Sequence, residues 1–184
     1  MTSLELPNPP SLQTNGVRSS PSPIPTLQHI LSINSISTKI ITQRYSDRIL
    51  ILVTQVDRIG SLIQVTRPSA PSTALRSSHP DESNNDPKAL PKLDPSFRTT
   101  RLFGSAPDQR SSLLHELYAS QIATVVFGAC EDWDGSSVIV GLGLKPGVKE
   151  DNEDEDEGED EEYWEKEREK LRGILKGVRD CKVW

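Results

Sequence analysis

Three histidines and two cysteines are the residues of this 184-residue chain best placed to do chemistry, and their spacing argues against it. His29, His79, His115, Cys130 and Cys181 form no Cys-x-x-Cys or His-x-x-x-His pattern, so no zinc centre is expected. The stretch Gly141-Leu-Gly143-Leu-Lys-Pro-Gly147 is glycine-rich like a phosphate-binding loop. It lacks the closing Gly-Lys-Ser/Thr and the helix that should follow. Serines abound, but none sits in a Gly-x-Ser-x-Gly elbow. His115 falls among Leu113, Leu114 and Glu116 in a helical pattern and reads as a structural histidine, and Cys181 reads as a small apolar residue. We therefore expect no catalytic residue, no metal site and no cofactor, and look for a protein that works by binding.

Charge and proline divide the chain unevenly. Glu150–Glu162 holds 11 of the 27 acidic residues, and removing eleven negative charges from a net of −6 leaves +5. The remainder is mildly basic, and the acidity is local. Such a run repels nucleic acid, lacks the ordered Asp/Gly pattern of a calcium loop, and reads as a disordered insert over 148–162. It could also attract basic partners in the manner of a histone escort. Of the 14 prolines, six lie in residues 7–25 and six in 68–95, with none between Thr26 and Arg67. Residues 1–25 read as a disordered Pro/Ser-rich tail. Residues 68–96, too long for an ordinary connection, read as a mobile loop. A single domain spans 26–184.

Two cysteines make no disulfide framework. The N-terminal residues lack a secretory pattern, and no apolar run approaches the roughly 20 residues of a membrane helix. A cytoplasmic or nuclear location is expected, with no membrane or nucleic-acid partner.

The elements that remain are strands and two helices. Residues 26–34 suggest an edge strand. In 36–45, Ile36, Thr38, Ile40 and Thr42 share one face and Lys39, Ile41, Gln43 and Tyr45 the other, and β-branched residues dominate. Residues 98–104 and 137–144 read as further strands, and Gly141 and Gly143 mark a close approach on one face of the latter. Leu113, Leu114, Leu117, Tyr118, Gln121, Ile122, Val125 and Val126 predict an amphipathic helix. Tyr163–Cys181 predicts a second, with Trp164, Leu171, Ile174, Leu175 and Val178 on one side and i, i+3 ion pairs on the other. The order indicates an α+β domain built on an antiparallel sheet.

At the centre stands Arg48–Thr66, whose two β-rich runs, split by a polar segment ending in Gly60, predict a hairpin. Ile49, Leu50, Ile51, Leu52 and Val53 are apolar on both alternations, whereas an antiparallel strand with one wet face should alternate. Two helices cover one face. The other is expected to pack on a second sheet, and we assign Ile49, Ile51, Val53 and Gln55 to that dimer face.

Several segments resemble the proteasome assembly chaperone 3 family. Arg48-Ile-Leu-Ile-Leu-Val-Thr-Gln55 followed by Ile59-Gly-Ser-Leu62 is similar to its central hairpin. Leu171-Arg-Gly-Ile-Leu-Lys-Gly-Val178-Arg-Asp-Cys181-Lys-Val-Trp184 is similar to its C-terminal helix. Thr38–Tyr45, Thr99–Gly104 and Val138–Leu144 fall in the places between. The resemblance covers about residues 26–67, 97–145 and 165–184; the tail, the 68–96 loop and the acidic insert exceed it. It implies a six-stranded antiparallel sheet with two helices. It also implies a non-enzymatic chaperone that pairs with a related subunit, proteasome assembly chaperone 4, and binds α-subunits to help build the heptameric α-ring of the 20S proteasome. Lys182-Val183-Trp184 lacks the hydrophobic-Tyr-any ending that other proteasome-binding factors use, so docking through that tail is not expected.

Overall fold

The structure, a computed structural model, describes residues 18–19, 23–68, 90–105, 108–130, 137–145 and 157–184, with backbone alone at 18–19 and 157–160. Asn34 and Ser35 both have positive φ (49° and 61°). That pair makes a two-residue type I′ turn, whose twist suits a hairpin, and it joins β2 (Thr26–Ile33) to β3 (Ile36–Arg44) in the register Ile33↔Ile36. The Asn34 side-chain amide donates to the Lys166 carbonyl at 3.3 Å, tying the turn to the second helix. A two-residue strand, β1 (Arg18–Ser19), pairs with β2, so part of the expected tail belongs to the sheet.

β4 (Arg48–Thr54) and β5 (Ser61–Thr66) do not pair with each other. β7 (Ser137–Gly143) lies between them, parallel to β4 and antiparallel to β5, and the sheet order is β1-β2-β3-β4-β7-β5-β6, with β6 spanning Arg98–Phe103. The expected hairpin is thus an arch. Its six residues span two strand spacings, about 10 Å, instead of closing a tight turn. The arch bonds to the strand it straddles: Gln55 N donates to Gly143 O at 2.9 Å and Gly60 N to Leu142 O at 2.8 Å. The fold is α+β with a mostly antiparallel sheet and two helices, as expected, but the β4–β7 pair is parallel.

β7 fits under the arch because of its glycines. A Cβ on Gly143 would overlap the Arg58 carbonyl oxygen, so the arch backbone rests directly on this residue. On Gly141 a Cβ would fall 2.7 Å from Leu52 Cδ2 and 3.3 Å from Leu62 Cδ1. The close approach expected at these two glycines is present.

Both helices lie on one face of the sheet. α1 (Gln109–Ala129) packs on β5 and β7, and α2 (Glu157–Asp180) on β2 and β3. Asp108 caps α1, accepting from Ser111 N at 2.7 Å and Ser111 Oγ at 2.7 Å, and these bonds hold its carboxyl below the ordinary range. Ala123–Phe127 is helical, and its side chains other than Thr124 are buried. α2 begins inside the acidic run, six residues earlier than expected. Acidic residues at a helix N-terminus complement its dipole, so Glu157–Glu162 extend the helix. Leu171, Ile174, Leu175 and Val178 are buried on α2, but Trp164 is not. At its end Cys181 is fully buried, and its carbonyl accepts from Thr42 Oγ1 at 2.5 Å.

A polar clasp joins the helices. The Tyr118 hydroxyl donates to Glu167 Oε2 at 2.8 Å, while Lys170 Nζ pairs with Glu167 Oε1. All three residues are buried. Burial, reinforced by the Glu167 charge, pushes the Tyr118 hydroxyl far above its usual range and keeps it a donor. Glu165–Arg168 also forms at 3.5 Å, and Arg172 reaches Glu165 at 3.4 Å. No helix among the described residues is long and apolar enough to cross a membrane. The readings for 1–17, 69–89 and 148–156 fall outside the described residues. Of the expected loop, Leu90 packs on the core and the Pro91 carbonyl accepts from Gln121 Nε2 at 3.1 Å.

Gly143→Ala should destabilise the fold by about 1–3 kcal/mol, because the added carbon displaces backbone. Gly128→Ala, with nothing within 4 Å of the new carbon, should be neutral or stabilise by up to ~1 kcal/mol. Denaturant midpoints of the two variants check this contrast. Tyr118→Phe removes a buried donor to a carboxylate and should cost about 1–3 kcal/mol in the same assay.

Candidate interaction surface

Of the described residues with chemical potential, Ser61, Cys130 and Cys181 are buried. Ser61 Oγ and His115 Nδ1 lie 3.0 Å apart, but Ser61 has no exposed surface and serves to join β5 to α1. Burial, with the nearby Arg101 charge, pulls the His115 pKa down. Both cysteines are buried free thiols. Burial pushes Cys130 up to about 11 and also raises Cys181, so neither is a ready thiolate. Among the described residues, no three His, Cys, Asp or Glu side chains converge as a metal site.

The sheet, by contrast, has two unlike faces. On the helix side lie Thr38, Ile40 and Thr42 of β3, Ile49, Ile51 and Val53 of β4, Val138, Val140 and Leu142 of β7, and Ser61, Ile63 and Val65 of β5, all without exposed surface. On the other side the pairings Ile30↔Lys39, Ile41↔Leu52, Leu50↔Ile139 and Leu62↔Gly141 set a second apolar row. Ile30, Ile41, Leu50, Leu52, Leu62 and Ile139 are each half-buried, and no helix among the described residues covers them.

The residues assigned to the dimer face therefore need correction. Ile49, Ile51 and Val53 lie at zero exposure beneath the chain's own helices. Gln55 stands beyond the end of β4, where it donates to Thr38 Oγ1 at 3.0 Å and accepts from Lys145 N at 3.1 Å. Both alternations of β4 are aliphatic, so its sequence does not distinguish them. Burial of the odd positions follows from the helices packing over Ile40 and Val140. The uncovered partners are the even positions, Leu50 and Leu52.

Gly141 organises the middle of the open face. Leu52, Leu62 and Ile59 of the arch converge over it and fill the space a side chain would take. At the edge, β6 adds Phe103, which is 65% exposed, beside a register shift between Leu62 and Ile63. Two ion pairs lie at the margins. Lys39 Nζ lies 2.6 Å from Asp57, and Arg48 Nε donates to Asp47 Oδ1 at 3.0 Å. Their mutual hydrogen bond lowers the Asp47 pKa and raises that of Arg48. An apolar centre with polar margins is the anatomy of a protein–protein interface. Leu62, Ile139 and Phe103 were missed by sequence reasoning. The thin face noted at Gly141 was the signal that could have found the first two.

No protein-family model matches this chain, and no curated protein matches it. Among solved structures it is similar to a chain described as belonging to a novel chaperone complex for yeast 20S proteasome assembly. The identity is 15%, over 84% of this chain and 95% of that one, with a TM-score of 0.40.

Proposed function

We propose that this protein is a non-enzymatic chaperone that pairs with a related subunit through its open sheet face, binds α-subunits and promotes assembly of the 20S proteasome α-ring. The observation that carries the proposal is the uncovered row Ile30, Ile41, Leu50, Leu52, Leu62 and Ile139 on a sheet whose opposite face is already sealed. A contiguous apolar surface of this kind marks an interaction site. The resemblance of Arg48–Leu62 and Leu171–Trp184 to proteasome assembly chaperone 3 adds the class of partner. With no bond made or broken, selection of the correct neighbour rests on differences in affinity between right and wrong subunits. A cytoplasmic or nuclear site of action follows from the proposal.

The 11 acids of Glu150–Glu162 favour a second function, escort of basic nuclear proteins such as histones. Because α2 starts at Glu157, residues 150–156 can be deleted without cutting the helix.

Leu52→Asp is expected to abolish pairing while leaving the monomer folded, because Leu52 lies on the open face. Ile51→Asp, at a fully buried position, should unfold it. Co-purification with the paired subunit, set beside circular dichroism, separates the two outcomes, and a Leu52→Asp chain that pairs like wild type overturns the assignment of this face. Deleting 150–156 should leave recovery of α-subunits in affinity purification intact. Loss of all partners with that deletion supports the escort function, and recovery of neither a paired chaperone nor α-subunits by the intact chain refutes the chaperone proposal.

A further inference from the structure

The helix layer carries an apolar patch that the core does not use. Leu113 is 61% exposed, Leu117 37% and Trp164 40%. Leu113 and Leu117 follow Arg110 at i+3 and i+7 on α1, so the three share one stripe. The Arg110 guanidinium carbon lies 4.3 Å from the Tyr163 ring centroid and 4.6 Å from that of Trp164. Those two rings meet edge-on at 5.5 Å. Arg110 thus joins the leucine stripe of α1 to the aromatic pair of α2, and the Tyr118–Glu167 bond holds the helices together nearby. The partly exposed indole is locked by cation–π stacking before any partner arrives. Rigid Trp, Tyr and Arg side chains in one cluster are the composition of a binding hot spot, and locking them in advance lowers the entropy lost on association.

Charge selects what can sit there. The first turns of α2, residues 157–162 (EGEDEE), contain five acids and no base. Glu161, Glu162 and Glu165 are exposed. The nearby cations are already engaged: Arg110 stacks on Tyr163 and Trp164, Lys166 pairs with Glu162 at 2.7 Å, and Arg168 with Glu165 at 3.5 Å. A second copy of the chain would set one acidic rim against another, which is unfavourable. The related subunit is assigned to the sheet face on the far side of the molecule. The geometry points to the Leu113–Leu117–Trp164 patch as a second docking surface, separate from the pairing face, for a folded protein that presents an apolar side chain within a basic rim. Resting on the chaperone function proposed above, we take that protein to be the α-subunit client.

The experiment measures binding of the chain, co-purified with its paired subunit, to each purified 20S α-subunit at low and at physiological salt. Leu113→Asp and Trp164→Ala should each weaken binding at least about tenfold without loss of pairing. Glu161→Lys/Glu162→Lys should weaken it and flatten its salt dependence. Leu113 is mostly exposed, so its variant tests the patch even if Trp164→Ala disturbs the helix end. Variants that bind α-subunits like wild type overturn the patch and leave the chaperone function standing. A wild-type pair that binds no α-subunit refutes both. Self-association of the wild type that Leu113→Asp abolishes, read by sedimentation, makes a second copy the occupant and also overturns the proposal.

Discussion

The architecture depends on one insertion, that of β7 between β4 and β5. β4 carries five consecutive aliphatic side chains, and a strand of that kind needs neighbours on both edges as well as cover on its faces. β3 supplies one edge and β7 the other. The insertion is possible only where β7 has no side chain, because the carbonyl of Arg58 occupies the place of a Cβ at Gly143. In return the arch supplies hydrogen bonds to the end of β7 from Gln55 and Gly60. Backbone groups that would otherwise lie buried and unpaired are thereby satisfied.

Once β7 is in place, the two faces of the sheet diverge. The β5–β6–α1–β7 connection lays α1 over β5 and β7, and α2 then covers β2 and β3 on the same side. Two helices suffice for one face of such a sheet, and no described element covers the other. The central strands are aliphatic on both sides, so the uncovered side keeps Ile41, Leu50, Leu52 and Ile139 at its middle, with two ion pairs at its margins. An interior-like surface facing outward is the physical basis of the proposed pairing.

The helix layer shows how polar groups and close packing share one interface. Gly173 and Gly177 let α2 settle onto Ile33 and Ile40, where added carbons would fall 3.1 and 2.5 Å from their side chains. The Tyr118–Glu167–Lys170 clasp lies in the same layer. A buried ion pair is weak evidence for net stability, but with Tyr118 completing the Glu167 carboxylate it fixes how the helices meet. That alignment carries Arg110 onto Tyr163 and Trp164 and turns the Leu113 stripe outward.

Much of this was legible in the residues themselves. Alternation placed Thr38, Ile40 and Thr42 together, and i and i+4 spacing marked both helices. Those signals are local, set by the period of each element and by a few side chains with special geometry. Three things were decided only by tertiary structure. The partner of β4 lies more than eighty residues away, and a polar segment ending in glycine looks the same whether it closes a hairpin or bridges a third strand. Which alternation of β4 faces the helices was undetermined, because Ile49, Ile51 and Val53 differ little in hydrophobicity from Leu50 and Leu52. The outward turn of Leu113, Leu117 and Trp164 was hidden too, since an apolar stripe wider than its contact looks like core until the neighbouring helix is in place. Local chemistry determined which elements form; long-range pairing, which no short window of sequence contains, decided which of their apolar surfaces stayed open.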